Sequence, residues 1–168
     1  MATVIKNING ETIYEYEGSF AEALVHGVGE GVSFENADFS YTNMSDVSVK
    51  NADFKGAQFI CVTYNNVTFD GSDFTGARIE RSNVSETSFK TTTLDGITVD
   101  RSNVTSCDFT GSSVKGATFY CSNVTRAILD GVEVSDATND KSNIQTLAEA
   151  EEEEARRLEM EQEEQEGE

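Results

Sequence analysis

The 168-residue sequence has no proline, no tryptophan, one histidine and three cysteines, and it sets only 12 basic side chains against 31 acidic ones, for a formal charge of −19. The shortage of Lys and Arg argues against unaided binding to phosphate backbones or anionic membrane surfaces, both of which need concentrated positive charge. Partners are therefore expected to be proteins, neutral or basic, with neither nucleic acid nor membrane bound directly. No apolar run approaches the ~20 residues that span a bilayer, and the first residues lack the basic and apolar regions of a signal peptide, so a cytoplasmic location is expected. Cys61, Cys107 and Cys121 are odd in number and lack CxxC spacing, which argues against a disulfide framework or a zinc site. His26 lies in a Gly-rich segment with no nucleophile or carboxylate beside it. No carboxylate pair, phosphate loop or ligand cluster stands out, so no catalytic residue, cofactor or metal is expected.

Leu, Ile, Val and Phe make up 38 residues, about 23% of the chain, close to the level of roughly 20% below which a highly charged chain stays disordered. Their placement decides the matter. From Phe34, Phe39, Met44, Val49 and Phe54 to Ile144, every fifth residue is apolar except Asn139, and a small or β-branched residue stands two positions before each. Nine of the ten Phe residues fall on this one register. A period of five matches neither an α-helix at 3.6 nor a strand at 2. In an extended segment residues i−2 and i point the same way, so each unit can send one small and one large side chain inward and then turn a corner. A second period of twenty is visible in Arg81-Ser-Asn-Val, Arg101-Ser-Asn-Val, Cys121-Ser-Asn-Val and Lys141-Ser-Asn-Ile, as four units closing one square coil would require. Five N-x-S/T sequons, at Asn43, Asn66, Asn83, Asn103 and Asn123, are by-products of this repeat.

Asn36-Ala-Asp-Phe-Ser, Asn51-Ala-Asp-Phe-Lys and Gly71-Ser-Asp-Phe-Thr resemble the A(D/N)Lxx unit of the pentapeptide repeat family. The resemblance implies an all-β solenoid, a right-handed quadrilateral β-helix over residues 32–144, about 5.6 coils and a rod roughly 27 Å long. Residues 1–31 are expected to form an N-terminal cap: strands at 3–8 and 11–16 around a type I′ turn at Asn9-Gly10, then a short helix opened by the Ser19–Glu22 capping box and ending near His26, covering Phe34 and Phe39. The arrangement is similar to leaders on pentapeptide repeat proteins of bacteriophages, which implies a bacterial or phage-infected host. Gly27-Val-Gly-Glu-Gly31 reads as a linker. Residues 145–168 read as an acidic helix and partly disordered tail opened by a Thr146–Glu149 capping box, fraying beyond Met160, whose first turn caps the last coil or pairs with a second chain as a homodimer.

Folding the sequence on the twenty-residue period aligns Asn43, Asn83, Asn103, Asn123 and Asn143 into an amide ladder that ties coils together. Beside it run Ile60-Cys61, Glu80-Arg81, Asp100-Arg101, Tyr120-Cys121 and Asp140-Lys141, in which each basic residue follows an acid. This corner, with Tyr41, Ile60, Glu80, Arg81, Asp100, Arg101 and Tyr120, is the candidate protein-contact surface. A second candidate is the acidic tail, with Glu151, Glu152, Glu153, Glu154, Glu159, Glu161, Glu163 and Glu164. Residues 145–168 alone carry a net charge of −9, against −6 for the repeat and −4 for residues 1–31. The family resemblance implies a non-enzymatic acidic protein that imitates DNA and inhibits or modulates a host nucleic-acid-binding protein, a topoisomerase or a phage-defence complex. A rigid scaffold or adaptor is the other expectation.

Overall fold

The computed structural model describes residues 2–166 and, within the final helix, the side chains of residues 148–157 and Met160. Strands β1 (Ala2–Asn7) and β2 (Thr12–Glu17) form a hairpin, followed by helix α1 (Phe20–Gly29). Short strands then alternate: β3 (Ala37–Asp38), β4 (Asn43–Ser45), β5 (Gln58–Ile60), β6 (Thr63–Asn65), β7 (Arg78–Glu80), β8 (Asn83–Ser85), β9 (Thr98–Asp100), β10 (Asn103–Thr105), β11 (Thr118–Tyr120), β12 (Asn123–Ala127), β13 (Thr138–Asp140) and β14 (Asn143–Thr146). Helix α2 (Leu147–Glu166) ends the described chain, continuing past Met160, where the sequence predicts fraying.

Every coil advances the chain by twenty residues onto its own earlier turn. Phe59 pairs with Ile79, Ile79 with Val99 and Val99 with Phe119 in one parallel sheet, and Tyr64, Val84, Val104 and Val124 pair likewise in a second. Two further columns of parallel bridges, Ser48–Thr68–Ser88–Asp108–Ile128 and Asp53–Asp73–Thr93–Ser113–Glu133, complete a four-sided β-solenoid. The corners are made in one way throughout. Every fifth residue from Asn36 to Lys141 has a positive φ, between 48° and 71°, although only seven of these are glycine. A side chain there costs of order 1 kcal/mol, so the coil-to-coil ladder must hold it in place. The register of large residues is visible in the sequence; the left-handed corner two residues later is not.

The inward i position donates its amide to the next coil, as Phe54 does to the Asp73 carbonyl (2.8 Å) and Phe74 to the Thr93 carbonyl (2.7 Å). At i−2 the acceptor is a serine side chain in one column of coils. The amides of Val62, Ser82 and Ser102 each donate to the Oγ of Ser82, Ser102 and Ser122 one coil on, all at 3.1 Å. The small inward residue of the repeated Ser-Asn-Val run thus fills space and satisfies a buried donor. Phenylalanines stack once per coil: Phe34 on Phe54, Phe54 on Phe74, Phe69 on Phe89 and Phe89 on Phe109, with centroids 6.1, 4.9, 5.6 and 5.2 Å apart. Cys107 is buried at an inward position, as its register predicts.

The N-terminal end is closed. β1 pairs antiparallel with β3, so the hairpin extends the first sheet and covers its edge. Ser19 and Glu22 form the reciprocal capping box, and the Phe20 ring meets Phe39 edge-on at 5.7 Å. Two expectations are corrected. The hairpin turn is not type I′, because Gly10 has a positive φ (84°) and Asn9 does not. Instead Gly10 N–H donates to the Asn7 carbonyl (2.9 Å), and the Asn7 side-chain oxygen accepts from the amides of Asn9 and Glu11 (both 3.0 Å), fixing a three-residue loop with its left-handed residue last. Nor is Gly27–Gly31 a linker throughout, because α1 runs through Gly29.

Candidate functional site

The corner beside the first sheet is an ion-pair network. Arg78, missing from the sequence-based set, is its centre: its Nη2 lies 2.8 Å from Glu80 Oε2 and 3.7 Å from Asp100 Oδ2. Residues 78 and 80 share a face of β7, the one signal by which spacing could have found this pair. Arg81 Nε stands 3.5 Å from Glu80 Oε1, and Arg101 Nε stands 3.8 Å from Asp100 Oδ1. The hydrogen bond from Arg78, helped by the nearby Arg81 and Arg101 charges, holds the Glu80 carboxyl below the usual range. Each acid therefore compensates the base that follows it.

The network leaves little for a partner to read. Asp100 is only 8% exposed, and its Oδ1 is buried without a hydrogen bond among the described residues. Arg81 and Arg101 remain exposed at left-handed corners (φ 50° and 49°). Tyr41 is 79% exposed on the first coil. Ile60 and Tyr120 are half-buried and lie in one column, but Glu80 and Asp100 separate them, so the three apolar residues form no continuous patch. Lys141 places its ammonium 5.5 Å from the Tyr120 ring centroid.

Part of the acidity elsewhere on the rod is similarly matched. Lys55 bridges Asp53 (3.3 Å) and Asp73 (3.2 Å), Lys90 reaches Asp108 (3.0 Å), and Lys115 pairs with Glu133. The outward positions of the second sheet carry one ionisable residue, Arg126 of β12, between Asn43 and Gln145. There Asn103 Nδ2 donates to Asn83 Oδ1 and Asn123 Nδ2 to Asn103 Oδ1, both at 3.0 Å, forming the amide ladder.

The second candidate, α2, meets the rod through its first turns. Thr146 and Glu149 form the capping box, which lowers the Glu149 pKa through hydrogen bonds from the Thr146 amide and hydroxyl. Gln145 donates to Glu153 (2.9 Å), and Glu154 lies 3.9 Å from Arg126 of β12. Glu152 pairs with Arg156 at 3.8 Å along the helix. Glu151, Glu152, Glu153 and Glu154 are all exposed, whereas the side chains of Glu159, Glu161, Glu163 and Glu164 lie outside the described residues. The helix packs beside β12 and β14 and leaves the end of the rod open: Val134 is 65% and Ile144 38% exposed. Among the described residues no group of three His, Cys, Asp or Glu is placed to hold a metal, and no helix is long and apolar enough to cross a membrane.

Residues 30–56 and 52–90 match the family model described as pentapeptide repeats (8 copies). No curated protein sequence matches the chain. Among solved structures, the chain is similar to a pentapeptide repeat protein from the Arabidopsis thaliana thylakoid lumen, at 23% identity and a TM-score of 0.51, covering 54% of this chain and 63% of that one; this likeness establishes the fold. It is also similar to a trypsin-treated form of QnrB1, a plasmid-mediated fluoroquinolone resistance protein (15% identity, TM-score 0.47, 64% of this chain and 72% of that one). A third is HetL of the cyanobacterium Nostoc, a pentapeptide repeat protein involved in heterocyst differentiation regulation (18% identity, TM-score 0.33, 63% and 65%).

Proposed function

We propose, from the premise that this chain belongs to the pentapeptide-repeat family, that it is a non-enzymatic binding protein whose acidic helix α2 engages the basic, nucleic-acid-binding surface of a protein partner. A topoisomerase or a DNA-binding defence complex has the required surface. The observation that carries this reading is the distribution of charge. The rod pairs Asp53, Asp73, Glu80, Asp100 and Asp108 with Arg or Lys, while α2 presents Glu151–Glu154 as four consecutive exposed carboxylates. Residues 145–168 hold eleven acidic and two basic side chains. A surplus of charge of one sign steers association with a surface of the other sign and competes with a polyanion for it. The rod's part is to hold this helix rigidly.

Binding to such a partner is expected to weaken steeply as salt is raised and to be displaced by duplex DNA. Truncation after Leu147 should abolish it while the rod keeps its thermal transition. Salt-insensitive binding, or a ternary complex in which the partner still holds DNA, counts against the reading. One observation favours scaffolding as a second reading: the ladder-locked face of the second sheet from Asn43 to Asn123 is uncharged and offers a surface with no electrostatic specificity. Retention of the partner by the truncated rod supports that reading instead.

A further inference from the structure

The open end of the rod is a hole, not a flat stub. In a filled solenoid only the terminal coil should meet solvent, yet Phe109, Val114 and Phe119, one coil further in, are only half-buried. They line a cavity of about 310 Å³ whose other walls include Val124, Leu129 and Val134. Val124 and those three residues also line a smaller apolar void of about 30 Å³ that continues along the axis as far as Ile79. The cause lies in the repeat. A coil of constant perimeter is filled by stacked phenylalanines from Phe34 to Phe74, but beyond Ile79 most inward positions are Val, Leu or Ile, which occupy less of the same bore. Such an apolar void stays dry and accepts hydrocarbon.

The mouth differs from the bore. Asn139, the polar member of the inward register, stands at its edge beside Thr138. The last coil carries Asp130, Glu133, Asp136 and Asp140 against Arg126 and Lys141, all outside the lining of the bore; the Lys141 ammonium is directed to the Tyr120 ring and Glu133 is held by Lys115. An apolar bore with an amide at its edge, on a coil of net negative charge, matches an alkyl chain with a cationic head better than a fatty carboxylate. A flat lid, such as the same end of a second copy, would leave the hole unfilled and bring like charges together.

We infer that the C-terminal bore of the solenoid is a binding site for one small cationic amphiphile, its alkyl chain along the axis past Leu129 and its head beside Asn139. Titration calorimetry of the full chain with decyltrimethylammonium and with decanoate, each below its micellar range, tests this. The cation should bind once per chain and about tenfold or more tightly than the carboxylate. Val124→Phe, which fills the bore, should abolish binding while leaving the melting temperature unchanged or higher. Should that variant fail to fold, Asn139→Lys at the exposed mouth keeps the test open, because it should reverse the preference between the two heads. No saturable binding, unchanged selectivity in Asn139→Lys, affinity unchanged in a folded Val124→Phe, or a concentration-dependent dimer that excludes the ligand overturns the proposal.

Discussion

Gly27 lies directly over Phe34: a Cβ on this helical glycine would stand 2.8 Å from the Phe34 Cζ. The absence of a side chain lets α1 rest on the first phenylalanine of the core. Alanine is the better helix former by about 1 kcal/mol, yet Gly27→Ala is expected to destabilise the protein by about 1–3 kcal/mol, because the closed N-terminal end cannot absorb the clash. Gly29, with nothing within 4 Å of its Cβ direction, is the control. Gly29→Ala should be neutral or stabilising by up to ~1 kcal/mol, read as a shift in the urea midpoint. Equal effects at the two positions would refute this role for Gly27.

Phe54 contacts Phe34, Phe39, Phe59, Phe69 and Phe74, more rings than any neighbour offers the void-lined half of the rod. Phe54→Ala should cost about 3–5 kcal/mol through lost transfer energy and an unfilled cavity. The small-to-large Val124→Phe change, made where space is open, should leave stability unchanged or raise it. Comparison of the two thermal transitions checks the order.

Acid should weaken the rod through its aspartates. Burial pushes the Asp73 carboxyl up, but hydrogen bonds from the Thr75 hydroxyl and amide and from Lys55 outweigh it and hold the pKa below its ordinary value. Asp108 behaves alike, with Thr110 and Lys90 as donors. A group depressed in the folded state stabilises above its unfolded value, about 3.9, and that stabilisation disappears as pH falls through the lower folded value. Urea midpoints should therefore drop between about pH 5 and pH 2, less steeply in Asp73→Asn. A parallel profile in the variant would exclude Asp73 as a contributor. Lys55, raised chiefly by its hydrogen bond to Asp73, adds stability that is lost as pH rises through its folded value.

The three thiols should separate by reactivity. Burial pushes the Cys107 thiol up to about 12, which denies it thiolate at neutral pH, whereas Cys121 is exposed and Cys61 half-buried. Limited alkylation followed by mass spectrometry should label Cys121 first, then Cys61, with Cys107 protected until the protein unfolds. Early labelling of Cys107 would mean that its coil opens in the native state.

Much of the architecture was legible because a solenoid is nearly one-dimensional: each coil meets only its neighbours, so a period in the sequence is a period in space. The inward register from Phe34 to Ile144, the Asn83–Asn103–Asn123 ladder and the pairing of Glu80 with Arg81 all follow from counting by five and twenty. Arg78 escaped because its partners Glu80 and Asp100 stand two and twenty-two residues away, off the periods of five and twenty, and the Ser82–Ser102–Ser122 relay escaped because serine at a small position is already explained by its size.

The amino-acid sequence by itself determined the coil, since only a five-residue corner satisfies its spacing of large and small residues, and it determined that almost half the net charge lies after residue 144. Only the tertiary structure decided how the ends are treated: the hairpin extends the first sheet through β3, α1 seats Gly27 on Phe34, and α2 lies beside the rod, leaving the last coil open. The physical reason is that a repeat specifies contacts between like neighbours. A terminus has no like neighbour, and its packing depends on the shape and charge of the surface that the last coil presents.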